Sequence, residues 1–457
     1  MGCSFVGNDE NSTDEERTGT DCYADDRDAL NDFAKYFNNE HLSDVALQVG
    51  DKRFAAHKII LCRSSEVFDR MLSKRWSKQG YQELELSEDA PCTDVFDNFL
   101  RFLYSNNVVL KESNVLPLLI LADKYSVHGL RKVCVDFAVR RVLPSVNLKT
   151  LIHVWFKYAT TAYHPASSSS DLSRECVAKI SKHFKSIISD PEWEEDWLSL
   201  DRDQLTELLK SNDLVLQSEY SLWAAVERWF NDPKSPQRRA PTSSALAAQV
   251  LSLIRFPSMT ADELAEVEGS SLAKEHQKTI MPLTHLAFKY ISMSLASRMT
   301  HEFTGLSFLL REYLDVRWDS KAKLKLKDLE NKHQDLRINI MTRASTFPYQ
   351  QWDWELIFSR NLSLGPTYSS LGSRASEEFS IELKSVDLDQ QRSVEYMLMF
   401  TNEKETVRRF AGKKTFTKSR TTACLEMDVG LTQLLETTPG LVQNGELNLQ
   451  LMLRPIV

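Results

Sequence analysis

The sequence predicts a multi-domain chain: an α/β domain, then an all-α domain, then a C-terminal antiparallel β-sandwich. Three stretches carry that expectation. Val45, Leu47 and Val49 alternate with Ala46 and Gln48, the two-residue period of a half-buried strand, and helical periods follow them. Between about 141 and 300, apolar residues recur at three and four positions, as on amphipathic helices. From about residue 302 the period returns to two, and Leu447, Leu449, Leu451 and Leu453 alternate with Asn448, Gln450 and Met452.

In the first domain, Gly50-Asp51 can turn the chain through positive φ, so that Lys52-Arg53-Phe54 returns antiparallel to the first strand. Val67, Phe68, Met71 and Leu72, then Val95, Phe96, Phe99, Leu100 and Leu103, have the spacing of two helices. Ahead of the strand, Leu30, Phe33, Ala34 and Phe37 share the face of a short helix. Asp44 to Val49, Phe54 to Lys58 and Leu121 to Tyr125 reproduce DV-x-L-x-V, F-x-AHK and LADKY, and between them Leu61 to Phe68 follows L-x-x-S-x-x-F with one extra serine. These landmarks resemble the BTB/POZ domain, a protein-interaction and dimerisation module. The resemblance implies that the helix bearing Leu30, Phe33 and Phe37 is a dimer element, whose apolar stripe a two-fold interface would bury. His57, within the AHK landmark, is expected to be a buried, hydrogen-bonded side chain rather than a base or metal ligand.

The helical part has its own landmarks. Leu205, Leu208 and Leu209 form one stripe, and Ser218 can cap a helix bearing Leu222, Val226 and Trp229. With Ile254 to Pro257 reading IRFP, this stretch resembles the BACK domain. Glu219 reads as part of the helix cap. Polar breaks at 164–173 and 231–244 interrupt the helices. In the last part, Ile381 and Leu383, and Val394, Tyr396, Leu398 and Phe400, repeat the period of two between glycine and proline punctuation. The closing segment, LTQLLETTPGLVQNGELNLQLMLRP, resembles the end of MATH (TRAF-like) domains. Trp318, Trp352 and Trp354 suggest a ligand groove, but core is the better reading for two of the three. The expected boundaries are an acidic disordered tail over 1–27, BTB over 28–140, BACK over 141–300 and the sandwich over 301–457. The combination resembles the BTB-BACK proteins related to galectin-3-binding protein.

Charge is concentrated at one end. Residues 1 to 40 hold eleven acidic and three basic residues, a net of −8, and the rest of the chain balances at 53 of each sign. A solubilising tail is the simpler reading and an acidic docking peptide the functional one. No basic stripe with interleaved aromatics points to nucleic acid, and no run of eighteen apolar residues points to a membrane. Gly2-Cys3 is an acylation-type start, but Val6 stands where Ser or Thr is usual. Seven scattered cysteines without a CxxC pair suggest neither zinc nor a disulfide framework, and favour reduced thiols in the cytoplasm or nucleus. Phosphate-loop, dinucleotide, HExxH and GxSxG motifs are missing from the sequence, so no catalytic residue, cofactor or metal is expected.

The functional expectation is a non-enzymatic substrate adaptor of a cullin-3 RING ubiquitin ligase. The BTB domain would form the homodimer and hold the cullin, while the C-terminal domain would recruit a protein substrate. By the resemblance, Phe68, Met71, Leu72, Trp76 and Lys78 are the candidate cullin contacts. Adaptors carry a hydrophobic-x-Glu element after the Phe-x-x-Met helix, and here it reads Trp76-Ser77-Lys78, a cation where the family has a carboxylate. The alternative is a BTB-mediated dimeric scaffold or transcriptional co-regulator that binds no cullin.

Overall fold

The computed structural model describes residues 33–72, 82–161, 170–239, 244–329, 335–343, 351–363, 376–428, 431–438 and 440–456. The chain divides into two compact units, Met1–Cys176 and Val177–Val457. The tail expected to be disordered and the Gly2-Cys3 pair lie outside the described residues.

In the first unit, β1 (Val45–Val49) pairs antiparallel with β2 (Lys52–Ala56), Leu47 opposite Phe54, and parallel with β3 (Gln82–Leu86), Leu47 opposite Leu84. Gly50 makes the turn at φ +57, where a side chain is costly. Helices α1 (Lys58–Ser64), α2 (Glu66–Leu72), α3 (Ala90–Asp94), α4 (Phe96–Ser105), α5 (Val115–Lys124) and α6 (His128–Phe137) complete it. Both faces of β1 are covered, so Ala46 is as buried as its apolar neighbours. After α6 the chain winds as a π-helix over Ala138–Val142. It turns back through Leu148–Thr150, a second π stretch at Leu151–Phe156, and Lys157–Thr160.

The second unit starts with helices and ends with sheets. Leu205, Leu208 and Leu209 of α7 (Arg202–Lys210) are buried, and Trp223, Val226 and Trp229 of α8 (Glu219–Phe230) join them. Indole N–H groups of Trp197 and Trp229 donate to Ala225 O and Leu200 O, each at 2.9 Å. α9 (Gln277–Ser292) and a short helix over Leu295–Arg298 end this helical part.

Among the described residues, nine antiparallel strands then form two sheets around one core. One sheet runs β11 (Thr406–Phe416), β10 (Arg392–Thr401), β14 (Glu446–Pro455), with β13 (Val442–Gln443) and β6 (Asp319–Lys325) also on β14. The other runs β12 (Thr422–Cys424), β9 (Ser376–Ser385), β8 (Gln351–Ser363), β7 (Leu336–Arg343). The expected alternating sets from β9, β10 and β14 meet between the sheets, with Trp352 and Trp354 also buried and Trp318 half-buried at the rim. The outer face of the first sheet is not solvated either. Met397, Met399 and Met452 pack under Tyr290, Leu295, Phe303 and Phe308.

Candidate functional site: interaction surfaces and a buried anchor

The segment ahead of β1 is seated by the sequence landmarks themselves. His57 is buried; one ring nitrogen lies 2.9 Å from the Tyr104 hydroxyl and the other 2.9 Å from His41 O. The His57 backbone N–H also donates to Tyr104 (3.1 Å), and Lys58 N–H donates to the Asp44 carboxylate (2.7 Å). HLSDV and AHK are therefore halves of one hydrogen-bonded clasp, and the expectation of a buried, bonded His57 holds. Burial pushes the Tyr104 phenol up to about 12.

Within the candidate dimer element, Phe37 is half-buried, its ring 6.1 Å from that of Tyr104 and 4.3 Å below the Arg101 guanidinium. Phe33 is 41% exposed, with Arg63 over its ring at 5.7 Å. Leu30 lies outside the described residues. Ile59, one helical turn before Arg63 on α1, is 79% exposed. Leu42 is 71% exposed and sits at φ +61, a conformation that costs a non-glycine residue of order 1 kcal/mol or more. The sequence reading overlooked Ile59, although Ile59-Ile60-Leu61 cannot all face inward on one helix.

The candidate cullin contacts separate by depth. Phe68 is fully enclosed, stacked on Tyr125 at 4.7 Å, and Leu72 is buried beside it. Ser65 Oγ donates to Tyr125 O (2.6 Å) and accepts from Phe68 N–H (3.1 Å), fixing the start of α2. Met71 turns to solvent. Trp76 and Lys78 lie outside the described residues. Farther along, Asp123 of the LADKY landmark accepts from Arg131 on α6 and from the Tyr158 hydroxyl, so its carboxylate holds the 148–160 rod beside α6. The Cys92 and Cys134 thiols are poor nucleophiles, burial raising Cys92 to about 11 and Cys134 to about 12.

The second unit holds a centre that sequence reasoning missed. Ser218 and Ser221 make the cap of α8, as expected of Ser218, but Glu219 does not cap. Its carboxylate, wholly buried, accepts from Arg255 N–H (2.8 Å), Arg311 Nε (3.2 Å) and the Tyr313 hydroxyl (2.7 Å). Arg311 also donates to Ser211 O (2.6 Å) and Leu253 O (3.0 Å), and Arg255 to Leu309 O (2.9 Å) and Asn212 Oδ1 (2.5 Å). Burial opposes ionisation of Glu219, but the charges of Arg311 and Arg255 outweigh it and hold the carboxyl below its ordinary range. With donors from Arg255, Arg311 and Tyr313 converging on its carboxylate, Glu219 is an anchor between the helices and the strand entering the sandwich. Next to it, β5 (Glu312–Tyr313) pairs parallel with β4 (Val215–Leu216), and Lys321 bridges Asp213 (2.9 Å) and Glu312 (3.0 Å). Arg454 donates to Ile291 O and Met293 O (2.7 Å each), and Arg409 to His301 O (2.9 Å), closing carbonyls at the end of α9 and beyond it.

The family model for the BTB/POZ domain matches residues 33–141, and that for BTB And C-terminal Kelch, the BACK domain, matches 159–268. BTB/POZ domain-containing protein 17 of Xenopus laevis is 24% identical over 358 residues, 75% of this chain and 70% of that protein. Galectin-3-binding protein of Mesocricetus auratus is 24% identical over 328 residues, covering 70% of this chain and 52% of the relative. Kelch-like protein 17 of Homo sapiens is 26% identical over 237 residues, covering 51% and 33%. Between a third and 70% of the length of these relatives is thus spanned. Among the described residues no group of His, Cys, Asp and Glu is arranged to hold a metal ion, and no helix is long and apolar enough to cross a membrane.

Proposed function

The chain carries a BTB/POZ domain followed by a BACK domain, and from that premise we propose a non-enzymatic substrate adaptor of a cullin-3 RING ubiquitin ligase. In this reading residues 28–140 dimerise and hold the cullin, 141–300 extend the support, and the MATH-like sandwich over 301–457 recruits a protein substrate. The recruited ligase supplies the chemistry and this chain supplies proximity. The setting would be the cytoplasm or nucleus. The observation that carries the reading is the ordered BTB and BACK matches together with an exposed Met71 at the end of α2. Phe68 and Leu72 would act by holding that helix in place, and Met71, Trp76 and Lys78 would meet the cullin.

The dimer would form through the element containing Leu30, Phe33 and Phe37. Phe33, Leu42 and Ile59 support this, because all three are exposed and burying a fully exposed side chain of this kind is worth about 1.5–3 kcal/mol. Immunoprecipitation of tagged wild type, Trp76→Ala and Lys78→Glu tests the adaptor. Wild type should recover cullin, Trp76→Ala should lose it by about 2 kcal/mol or more, and Lys78→Glu should strengthen it. If none of the three recovers cullin, the scaffold reading replaces the adaptor. Lys78 is what favours that second reading, since burying an unpaired ammonium is costly.

A further inference from the structure

Residues 128–160 contain six basic residues and one acidic residue, a local net of +5 in a body that balances only when they are included. Lys132, Arg140, Arg141, Lys149 and Lys157 are all exposed. The first, third and fifth positions of that order, with Arg140, are telling: Lys132, Arg140, Arg141 and Lys157 have no ion-pair partner among the described residues, whereas Arg131 beside them is buried on Asp123. Lys132 and Arg140 are exposed on α6 and on the π stretch that continues it, with the exposed Asp136 midway between them in sequence. Lys149 and Lys157 share a face of the 148–160 rod. Asp123 binds both elements, at Arg131 next to Lys132 and at Tyr158 next to Lys157, and Val133 and Val154 are exposed on them.

The opposite charge is in the same chain. Residues 1–32 carry ten acidic and two basic residues, a net of −8, with Tyr23 between Asp21 and Asp25. We propose that this acidic segment docks, within its own chain, on the basic face of residues 132–157. Its carboxylates would meet Lys132, Arg140, Arg141 and Lys157, and Tyr23 would lie against the exposed valines. The carboxylates from Asp9 to Asp28 are 5 to 24 residues ahead of Phe33, a reach of roughly 15 to 80 Å at about 3.3 Å per residue. The contact would keep other anionic partners off this face and would weaken with salt, because exposed charges are screened beyond about 10 Å at 0.1 M. It does not depend on whether the chain holds a cullin.

Carbodiimide cross-linking of the full chain, which joins carboxylates to lysine amines, reads the contact directly. A one-to-one mixture of isotopically heavy and light protein separates links within a chain from links between chains. Tail carboxylates should link to Lys132 and Lys157 at least ten-fold more often than to Lys289 or Lys418, exposed lysines elsewhere, and 0.5 M salt should erase the preference. Arg140→Glu with Arg141→Glu should reduce those links ten-fold, as should Asp14→Asn with Glu15→Gln and Glu16→Gln, with circular dichroism unchanged. Links spread evenly over exposed lysines, links indifferent to both sets of substitutions, or links only between heavy and light copies overturn the proposal. So does binding of the full chain to phosphatidylserine vesicles without any tail links.

Discussion

Replacing Glu219 by Gln keeps the shape of the side chain and removes its charge, leaving the buried Arg311 and Arg255 without their carboxylate. Both Glu219 and Arg311 have fully buried side chains, so solvent screens neither. Glu219 accepts from three donors, at 2.8, 3.2 and 2.7 Å. A glutamine oxygen cannot serve them all, and its amide brings N–H groups where only donors converge. Breaking a buried pair from one side typically costs about 3–5 kcal/mol, because the remaining charge is uncompensated. Native-state hydrogen exchange read by mass spectrometry locates the loss. Peptides covering 205–230 and 306–325 should lose about two to three and a half powers of ten in protection, at 1.4 kcal/mol per power of ten. Peptides from 45–56 and 96–125, in the other unit, should not change. The pH dependence has a definite sign. A carboxyl held below its ordinary 4.5 stabilises the fold above that value and loses its contribution as pH falls through its folded value. The gap between wild type and Glu219→Gln should therefore be full at neutral pH and shrink in acid below 4.5. A loss under about 1 kcal/mol, or equal loss in both units, would refute the anchor.

Three further outcomes follow from the packing. A Cβ on Gly412 would lie 2.7 Å from the Tyr396 hydroxyl, which accepts the Glu426 N–H at 2.8 Å; Gly412→Ala should destabilise the sandwich by about 1–3 kcal/mol, measured by urea unfolding. Phe68→Ala should cost about 3–5 kcal/mol in the first unit, while Met71→Ala should stay within about 0.5 kcal/mol and lower cullin recovery; equal stability losses would show that depth does not separate the two. Phe33→Asp with Ile59→Asp should shift the full chain from dimer to monomer in light scattering at micromolar concentration without altering circular dichroism, and an unchanged mass would remove these residues from the interface.

Local pattern alone specified a great deal here. Val45, Leu47 and Val49 gave β1, Gly50-Asp51 gave its turn, and the alternating leucines of β14 gave its inward face, because side-chain period and turn chemistry are properties of adjacent residues. The ordered BTB and BACK landmarks were legible for the same reason, each being a short local motif. What neighbours do not determine is the other side of each element. Gln450 and Met452 alternate with those leucines and point to the opposite face, yet both are buried, since residues near Tyr290 and Phe303, about 150 positions away, cover that sheet. Phe68 and Met71 belong to one apolar stripe in sequence, and only the packing of Tyr125 onto α2 sent one inward and left the other out. Glu219 looked like part of a cap because Ser218 beside it is one. Its actual partners, Arg255 and Arg311, are 36 and 92 residues downstream, and a charge can stay in a dry interior only where the fold brings such counter-charges to it.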